Sequence, residues 1–599
     1  MLPYSPWLAW IIPLTGSLLM PILAKVNGKL RDWSGFLFVT VSSVFTLSML
    51  PDVYNGYSVD IQIPWIPFFN LSAGVLVDSL SVFMASIVSC ISTLILLYSI
   101  GYMAKEEGLT RYYFFMLLFT SGMVGLVMAD NFLQLYIFWE IVGLCSYALI
   151  GFWYKRPEAV KAGMKAFLVT RVGDLCLLLA ILILFLNTGK LGFLDVRNDV
   201  TLGFLSASSL MTILLLMFGG AVGKSAQVPL FVWLPDAMEG PTTVSALIHS
   251  ATMVKAGVYL VARTATIFSS FQNHLPIVAG VGVITSLMAA TMALVSFDIK
   301  RVLAYSTISQ IGYMIFALGL GTVEGWFSSQ FHLMSHAFFK ALLFLCVGVV
   351  IHITGTRDMR NMGGLKRYMP VTFLTFIVGA LSLSAVPPFN GFWSKDLILA
   401  ASYNSGGYTG YLLFSVGTVT AIITFAYTIR MTALTFLGEE SPFLKGKKLH
   451  EAPKVMVVPL VILASACIIS GFLQTPFAHL MSQMSPTNMS VSLIKVEIVP
   501  LTFSILALLI GGLPAYTIYV KKSIPPERFT KGPITRIIYK LLTKGYYFDA
   551  VYNYVFLNGI SFISDRVRKI QTGILNINML AFTLGILLLI LLIFQGGLL

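Results

Sequence analysis

The chain has 599 residues, of which 57% are hydrophobic and only 11% are charged, and its mean hydropathy is +0.86. Soluble globular proteins contain about 25% charged residues, so this composition excludes that class. A net charge of +14 would suggest nucleic acid as the partner of a soluble protein. In so apolar a chain the distribution of basic residues matters more than their sum, and no nucleic-acid partner is expected.

Apolar runs long enough to cross a hydrocarbon core of about 30 Å as helices recur along nearly the whole chain. They predict an all-α polytopic membrane protein with about sixteen transmembrane helices. The first run has no basic segment before it and no small-residue cleavage site, so we interpret it as a span rather than a signal peptide. The predicted spans are residues 4–24, 35–51, 77–103, 111–129, 131–154, 163–187, 208–231, 242–263, 276–296, 302–320, 326–353, 370–400, 409–436, 454–474, 498–520 and 578–597.

Basic residues alternate between the two sides of these spans. The loops on one side are rich in Lys and Arg, whereas the loops on the other side contain only Lys190, Arg197, Arg263 and Lys495. Because cytoplasmic loops carry an excess of Lys and Arg, we expect the basic set in the cytoplasm, both termini outside, and the chain in the cell membrane. The basic loops lie near residues 25–31, 105–111, 155–161, 300–301, 357–367, 445–454 and 521–522.

A segment between the last two spans, residues 525–575, is too rich in charge to cross a membrane. Its apolar and aromatic residues recur at intervals of three and four, which predicts an amphipathic helix in the membrane interface, broken at Gly545. Roughly 40 helical residues would extend about 60 Å. Periodicity alone is equally compatible with an ordinary linker on the membrane surface.

Ionisable residues occur inside several predicted spans, where they are costly and usually mark ion or proton pathways. Arg171 and Asp174, three positions apart on one helix, share a face and are expected to form an ion pair, more simply a structural one. The candidates are Glu140 in the fifth span, Arg171 and Asp174 in the sixth, Lys224 in the seventh, His249 and Lys255 in the eighth, His332, His336 and Lys340 in the eleventh, and Lys395 and Asp396 in the twelfth.

Simpler interpretations exist for several of these residues. Glu140 and Lys255 could lie close enough to helix ends to reach water, and Lys224 could extend its ammonium to the membrane surface. His332 and His336, four residues apart, could bind a metal ion, although no carboxylate or cysteine cluster accompanies them.

The spacing in the eleventh span favours a shared function. His332, His336 and Lys340 recur at steps of four, which places them on one stripe of about 12 Å along a helix. Imidazoles titrate near neutrality, and burial brings amines toward it. A row of such groups bridged by water is what a proton relay requires.

Two of the buried lysines lie beside prolines that interrupt their helices. Pro229 follows Lys224, and Pro387 and Pro388 precede Lys395. Interrupted helices in the two halves of a chain predict an internally repeated transporter with its site at mid-membrane. The sequence GGAVGKS around Lys224 has one residue too few between its glycines for a phosphate-binding loop and lies in an apolar run, so no nucleotide site is expected.

Four stretches resemble the antiporter-like subunits of respiratory complex I, and the amphipathic segment followed by a further span is similar to the largest of these, the L subunit. The stretches are SAQVPLFVWLPDAMEGPTTVSALIHSATMVKAGVYLVAR, DIKRVLAYSTISQIGYM, QFHLMSHAFFKALLFLCVG and GFWSKDLI. The resemblance covers essentially the whole chain and extends to the archaeal F420H2-dependent relatives of complex I.

The resemblance implies two inverted five-helix repeats with broken seventh and twelfth helices, and a lateral helix that contacts the neighbouring antiporter-like subunit. The implied organisation is N-terminal helices in residues 1–110, repeats in 111–263 and 276–436, two further helices in 454–520, the lateral helix in 525–575 and an anchor helix in 578–599.

The resemblance also assigns roles to the buried charges. Glu140 matches an essential glutamate paired with Lys224, and Lys395 matches the lysine of the exit half-channel. Arg171 with Asp174 would be a supporting ion pair, as would contacts of Lys255 and Asp396. The central connecting groups would be His249, His332, His336 and Lys340.

The function that follows is proton translocation by a non-redox subunit of an NADH or F420H2:quinone oxidoreductase. Flavin, iron–sulfur clusters and quinone are expected in partner subunits, because the five cysteines of this chain lie singly in apolar segments. Lys255 favours an alternative, the large subunit of a multisubunit sodium/proton antiporter. A third possibility is a purely structural subunit that clamps the complex with its lateral helix.

Overall fold

The computed structural model of the chain describes residues 1–67, 71–482, 497–526, 528, 532–570, 579–580, 582–588 and 591. It divides into two compact units, Met1–Arg536 and Ile537–Leu599. Among the described residues, 13 helices are long and apolar enough to cross a membrane. The prediction of an all-α polytopic membrane protein is therefore confirmed.

The first half of the larger unit contains eleven helices and one hairpin of strands. The helices are α1 (Ser5–Val26), α2 (Gly28–Tyr54), α3 (Ser79–Tyr102), α4 (Leu109–Met128), α5 (Phe132–Ile150), α6 (Pro157–Thr188), α7 (Phe193–Thr201), α8 (Ala207–Lys224), α9 (Trp233–Asp236), α10 (Thr242–Ser250) and α11 (Met253–Ile267). Side-chain caps define several of their starts, since Asp78, Asn131 and Ser206 accept backbone N–H groups at the first turns of α3, α5 and α8.

The second half of this unit consists mainly of helices in its described residues. Its helices are α12 (Leu275–Val295), α13 (Ile299–Leu318), α14 (Val323–Thr354), α15 (Pro370–Leu383), α16 (Asn390–Asn404), α17 (Gly407–Phe436), α18 (Lys454–Ile469), α19 (Gln474–Ser482) and α20 (Ile498–Ala515), the last continued by a π-helical turn at Tyr516–Val520. The tenth predicted span corresponds to α13, which is too polar to be counted by hydropathy.

An antiparallel hairpin between α2 and α3 was not predicted. Its strands are β1 (Val59–Ile66) and β2 (Leu71–Val77), with Val59 opposite Val77. The sequence VDIQIPWI does alternate apolar and polar residues at its start, which is the period of a strand. The hairpin lies outside the predicted spans, where only a loop was expected.

The breaks predicted in the seventh and twelfth spans are present. α8 ends at Lys224 and α15 ends at Leu383, and each is followed by a Ser-Ala pair. Ala226 (φ 51°) and Ala385 (φ 59°) both adopt the left-handed conformation, which is unfavourable for a residue with a Cβ and stops an α-helix. The two interruptions therefore have the same local backbone form.

A third break divides the eighth predicted span and was not foreseen. α10 ends at Ser250 and α11 begins at Met253, with Ala251 and Thr252 between them in non-helical conformations. No proline or glycine marks this break. It places His249 and Lys255 on different helices.

A central helix of 32 residues, α14, carries three of the buried ionisable residues, His332, His336 and Lys340. It packs against α3, α10, α13, α15, α16 and α18. Over most of its length its side chains are buried. Residues along α14 are thus surrounded by protein from both halves of the chain.

The smaller unit contains α22 (Phe548–Tyr552), α23 (Gly559–Ile570) and most of α21 (Pro533–Thr543), which begins just before the unit. The predicted break at Gly545 is present, because Gly545, Tyr546 and Tyr547 all have positive φ. Of the predicted anchor helix, only residues 579–580, 582–588 and 591 are described, and they are helical. Lys495 lies outside the described residues.

Candidate proton-transfer site

Four charged side chains from α5, α6 and α8 meet in one cluster. Lys224 Nζ lies 3.2 Å from Asp174 Oδ2, and both side chains are almost completely buried. Arg171 is bonded to the Glu140 carboxylate, while its Nη1 is 3.9 Å from Asp174 Oδ2. The cluster is therefore a chain of alternating charge from Glu140 through Arg171 and Asp174 to Lys224.

This arrangement differs from the expected pairing at Lys224. Glu140 was expected beside Lys224, but the direct partner of Lys224 is Asp174. The expected pair of Arg171 with Asp174 is present at 3.9 Å, while the hydrogen bond of Arg171 goes to Glu140. Trp139 explains the difference, since its indole Nε1 donates to Asp174 Oδ1 at 2.6 Å and turns the other oxygen toward Lys224. The alternative that Lys224 reaches the membrane surface is wrong, because the side chain is 0% exposed.

Glycines provide the space for this cluster. A Cβ on Gly143 would lie 2.5 Å from Lys224 Nζ, so only glycine leaves room for the ammonium in its present position. Gly173 of α6 packs directly on the backbone of Gly219 and Gly223 in α8. The glycines that resembled a phosphate-binding loop therefore serve close helix packing.

His249 and His336 are buried imidazoles without a hydrogen-bond partner among the described residues. The His249 ring packs against Phe344, with the ring centroids 4.8 Å apart. Buried polar groups are normally satisfied by protein or water, so each ring nitrogen is a place where water would bind. His336 lies within electrostatic range of His249, Lys255, His332 and Lys340.

The other two members of the α14 stripe are held by polar residues of α13 and α16. His332 Nε2 is 2.9 Å from Gln310 Oε1, and its Nδ1 is 2.9 Å from Ser394 Oγ. Lys340 Nζ donates to the Leu303 carbonyl at 3.0 Å and also contacts Ser306. Both ring nitrogens of His332 are engaged, and no group of three metal-ligating side chains occurs among the described residues. The metal-site alternative for His332 and His336 has no support in this geometry.

Lys395 and Lys255 are buried in different environments. Lys395 Nζ has no hydrogen-bond partner in the described part of the chain and lies 4.7 Å from the centre of the Tyr313 ring. Lys255 Nζ donates to the Leu333 carbonyl of α14 at 2.9 Å, so it does not reach water. Its expected ion pair is absent among the described residues, as is that of Asp396, which instead accepts from Ser504 at 2.8 Å.

The candidate residues thus form two groups. One contains Glu140, Arg171, Asp174 and Lys224; the other runs through α10, α14 and α16 to Lys395, since His332 lies within electrostatic range of Lys395. No hydrogen bond joins Lys224 to His249 in the described residues. Between the groups a proton would have to cross on water.

Several residues of the site escaped the sequence interpretation. Trp139 directly precedes Glu140, and Ser306 and Gln310 are four residues apart in α13, a spacing that could have marked them. Lys300, assigned to a cytoplasmic loop, is buried and donates to the carbonyls of Met238 and Gly240, at 2.7 Å each.

Arg263 was assigned to an external loop, but it lies buried in α11. Its guanidinium forms a bidentate salt bridge with the Asp78 carboxylate, with N–O distances of 2.5 and 3.0 Å, and also donates to the Tyr259 hydroxyl. This pair ties the end of α11 to the start of α3.

Known proteins are similar to this chain in sequence and fold. Residues 129–424 match a family described as NADH:quinone oxidoreductase/Mrp antiporter, transmembrane, and residues 65–113 match the N-terminus of complex I chain 5. NAD(P)H-quinone oxidoreductase chain 5 of Picosynechococcus is 38% identical over 94% of this chain and 91% of its own length. F(420)H(2) dehydrogenase subunit L of Methanosarcina mazei is 40% identical over 86% and 87%. A chain of the Mrp complex from Dietzia superposes with a TM-score of 0.82 and 27% identity, over 98% of this chain and 62% of that one.

Proposed function

The chain belongs to the family of antiporter-like L subunits, or chain 5 subunits, of complex I-type oxidoreductases, and on that basis we propose that it carries protons across the membrane through its buried charges. The observation that carries the proposal is the pair of buried lysines, Lys224 and Lys395, with the buried histidines His249, His332 and His336 between them in the sequence. Redox chemistry in partner subunits would drive the transport. Flavin, iron–sulfur clusters and quinone would be held there and not by this chain.

The first cluster would control the proton on Lys224. Arg171 stands between two carboxylates, bonded to Glu140 and 3.9 Å from Asp174. A shift of Arg171 toward Asp174 would neutralise the partner of Lys224 and weaken the hold of the lysine on its proton. Glu140 would thus act on Lys224 through Arg171 and Asp174.

From Lys224 the proton would pass by water to the central groups and on to Lys395. His249 and His336 have ring nitrogens available for such water, and the hydrogen bonds of His332 to Gln310 and Ser394 connect α14 to α16. Release outside would follow from Lys395. A change in nearby charge that shifts the pKa of a buried lysine by one unit supplies about 1.4 kcal/mol. Moving one proton against a membrane potential of 100 mV costs about 2.3 kcal/mol.

Lys224→Ala tests this role in the assembled complex. Proton pumping is measured as quenching of a ΔpH-sensitive dye in inverted vesicles, with electron transfer recorded in the same sample. We expect pumping per electron to fall, while Lys161→Ala, an exposed lysine on α6, keeps the wild-type ratio. An unchanged ratio in Lys224→Ala would show that Lys224 is not on the path.

A second candidate function is sodium/proton antiport, favoured by the likeness to the Mrp complex and by the buried Lys255. In that case proton flux would depend on sodium and would proceed without an electron donor. Vesicles that contain the assembled complex, energised by a sodium gradient alone, distinguish the two functions.

The amphipathic segment would contact a neighbouring antiporter-like subunit along the cytoplasmic side, with both termini of the chain outside. Its helices expose large apolar side chains, among them Ile537, Val551 and Phe562. If the chain acts only as a clamp, truncation before residue 530 would disrupt assembly while changes at Lys224 and Lys395 spare pumping.

A further inference from the structure

An apolar groove of about 500 Å³ lies between α2, α3, α14 and α19, and the described residues that line it carry no charge. Its floor consists of buried carbon-rich side chains, Phe83, Ile87, Met334 and Phe477. Its rim includes exposed side chains of α2 and of the turn before α19, Leu47 and Leu473. All four walls belong to membrane-spanning segments, so the groove opens toward the hydrocarbon of the bilayer.

We propose that this groove binds one acyl chain of a membrane phospholipid. A polar end supports this occupant, because Tyr54 and Asn55 lie where α2 ends, and Tyr54 packs on His479 with ring centroids 4.6 Å apart. Tyrosine is typical of the membrane–water interface, which places this end at the level of lipid headgroups. A chain that enters from this interface would follow the groove inward.

The volume matches that of one acyl chain. A group of the size of water occupies about 30 Å³ in a liquid, so about 500 Å³ corresponds to a chain of about 16 methylene-sized groups. A narrow, unbranched tail would fill this space, whereas a helix of a neighbouring subunit would pack on its open side and give crosslinks to that subunit.

The groove reaches the back of the helix that carries the histidine stripe. Met334 and Phe338 line it from α14, two positions away from His336 on either side. Successive helical residues are turned by about 100°, so these side chains and His336 point in opposite directions. The bound acyl chain would support α14 from the side away from His332, His336 and Lys340.

The test uses the assembled complex with a phospholipid that carries a diazirine in its acyl chain. After illumination and digestion, peptides are analysed by mass spectrometry. We expect label on the segments that contain Phe83, Ile87 and Met334, displaced by excess phospholipid. Ser86→Trp, which fills the groove, should remove this label, while Leu374→Trp, at a side chain 63% exposed on α15, should retain it.

Cys90 provides a second measurement that needs no bulky substitution. This partly buried thiol lines the groove, so a hydrophobic maleimide should modify it faster after delipidation and slowly again after phospholipid is added back. The proposal is overturned if the groove segments carry no label in the wild type, or if the rate of Cys90 modification is the same with and without phospholipid. It is also overturned if a long-tailed quinone displaces the label and phospholipid does not. Crosslinks from the groove to another subunit would overturn it as well.

Discussion

Lys224 Nζ lies 3.2 Å from Asp174 Oδ2, while Glu140 is bonded to Arg171 instead. The lysine and its partner come from α8 and α6, and both side chains are buried from solvent. A carboxylate in contact with a buried ammonium stabilises its charge, so the proton on Lys224 depends most directly on Asp174. Glu140 acts on Lys224 only indirectly, through Arg171 and Asp174.

Asp174→Asn should therefore impair proton pumping at least as strongly as Glu140→Gln. Removing one member of a buried ion pair costs about 3–5 kcal/mol, because the remaining charge is uncompensated. The measurement is pumping per electron in inverted vesicles, with the exposed Asp195→Asn as control. Normal pumping in Asp174→Asn, together with loss in Glu140→Gln, would assign the direct role to Glu140.

Trp139→Phe should reduce pumping without preventing assembly. The substitution keeps an aromatic ring near Lys224 but removes the indole donor that holds Asp174 Oδ1 at 2.6 Å. An unsatisfied buried acceptor costs about 1–3 kcal/mol, and the carboxylate is then free to turn away from Lys224. The pH profile of pumping should shift as a result. Trp153→Phe removes a similar bond, to Glu106 at 2.9 Å on the exposed surface, and should leave the profile unchanged.

Gly143→Ala should displace the Lys224 ammonium. A Cβ at this position would come within 2.5 Å of Nζ, so the flexible lysine must move and its contact with Asp174 must weaken. We expect an assembled complex with lower pumping per electron. Gly280→Ala on α12 is the matched control, because its Cβ would meet nothing within 4 Å. Equal pumping by both variants would show that the position of Lys224 tolerates this movement.

Asp130, between α4 and α5, should make stability depend on pH. Burial raises the pKa of this carboxyl to about 6, and nearby Asp60 adds to the effect. Since the folded state holds the proton more tightly than the unfolded state, stability is greatest at low pH and is lost as pH rises through about 6. In Asp130→Asn the thermal unfolding temperature of the purified complex should change less between about pH 4 and 6, the interval between the usual pKa of an aspartate and that of Asp130.

Asp358 provides the contrast for this measurement. A hydrogen bond from Arg360 lowers the pKa of Asp358, so its contribution is present above the usual pKa of an aspartate and is lost only in acid. Asp358→Asn should leave the pH dependence near pH 6 unchanged. An identical pH dependence in Asp130→Asn and the wild type would contradict the assignment to Asp130.

Patterns within short stretches of sequence predicted the membrane spans and most of the helix breaks. The spans follow from apolar runs, because a helix must satisfy its own backbone in lipid. The interruptions next to Lys224 and before Lys395 follow from prolines, and the break at Gly545 from a glycine in a charged helix. The interruption at Ala251 and Thr252 has no such residue and could not be read from the chain.

The sequence by itself determined that Lys224, His336 and Lys395 lie inside the protein, since they occur in long apolar runs, but it did not show that Lys300 and Arg263 are buried as well. Only the tertiary structure decided how they are paired. Whether Lys224 meets Asp174 or Glu140 depends on the rotation of α5, α6 and α8 about their axes and on the indole of Trp139 between them. Hydropathy and spacing describe one helix at a time, whereas an ion pair depends on the distance between side chains of two different helices.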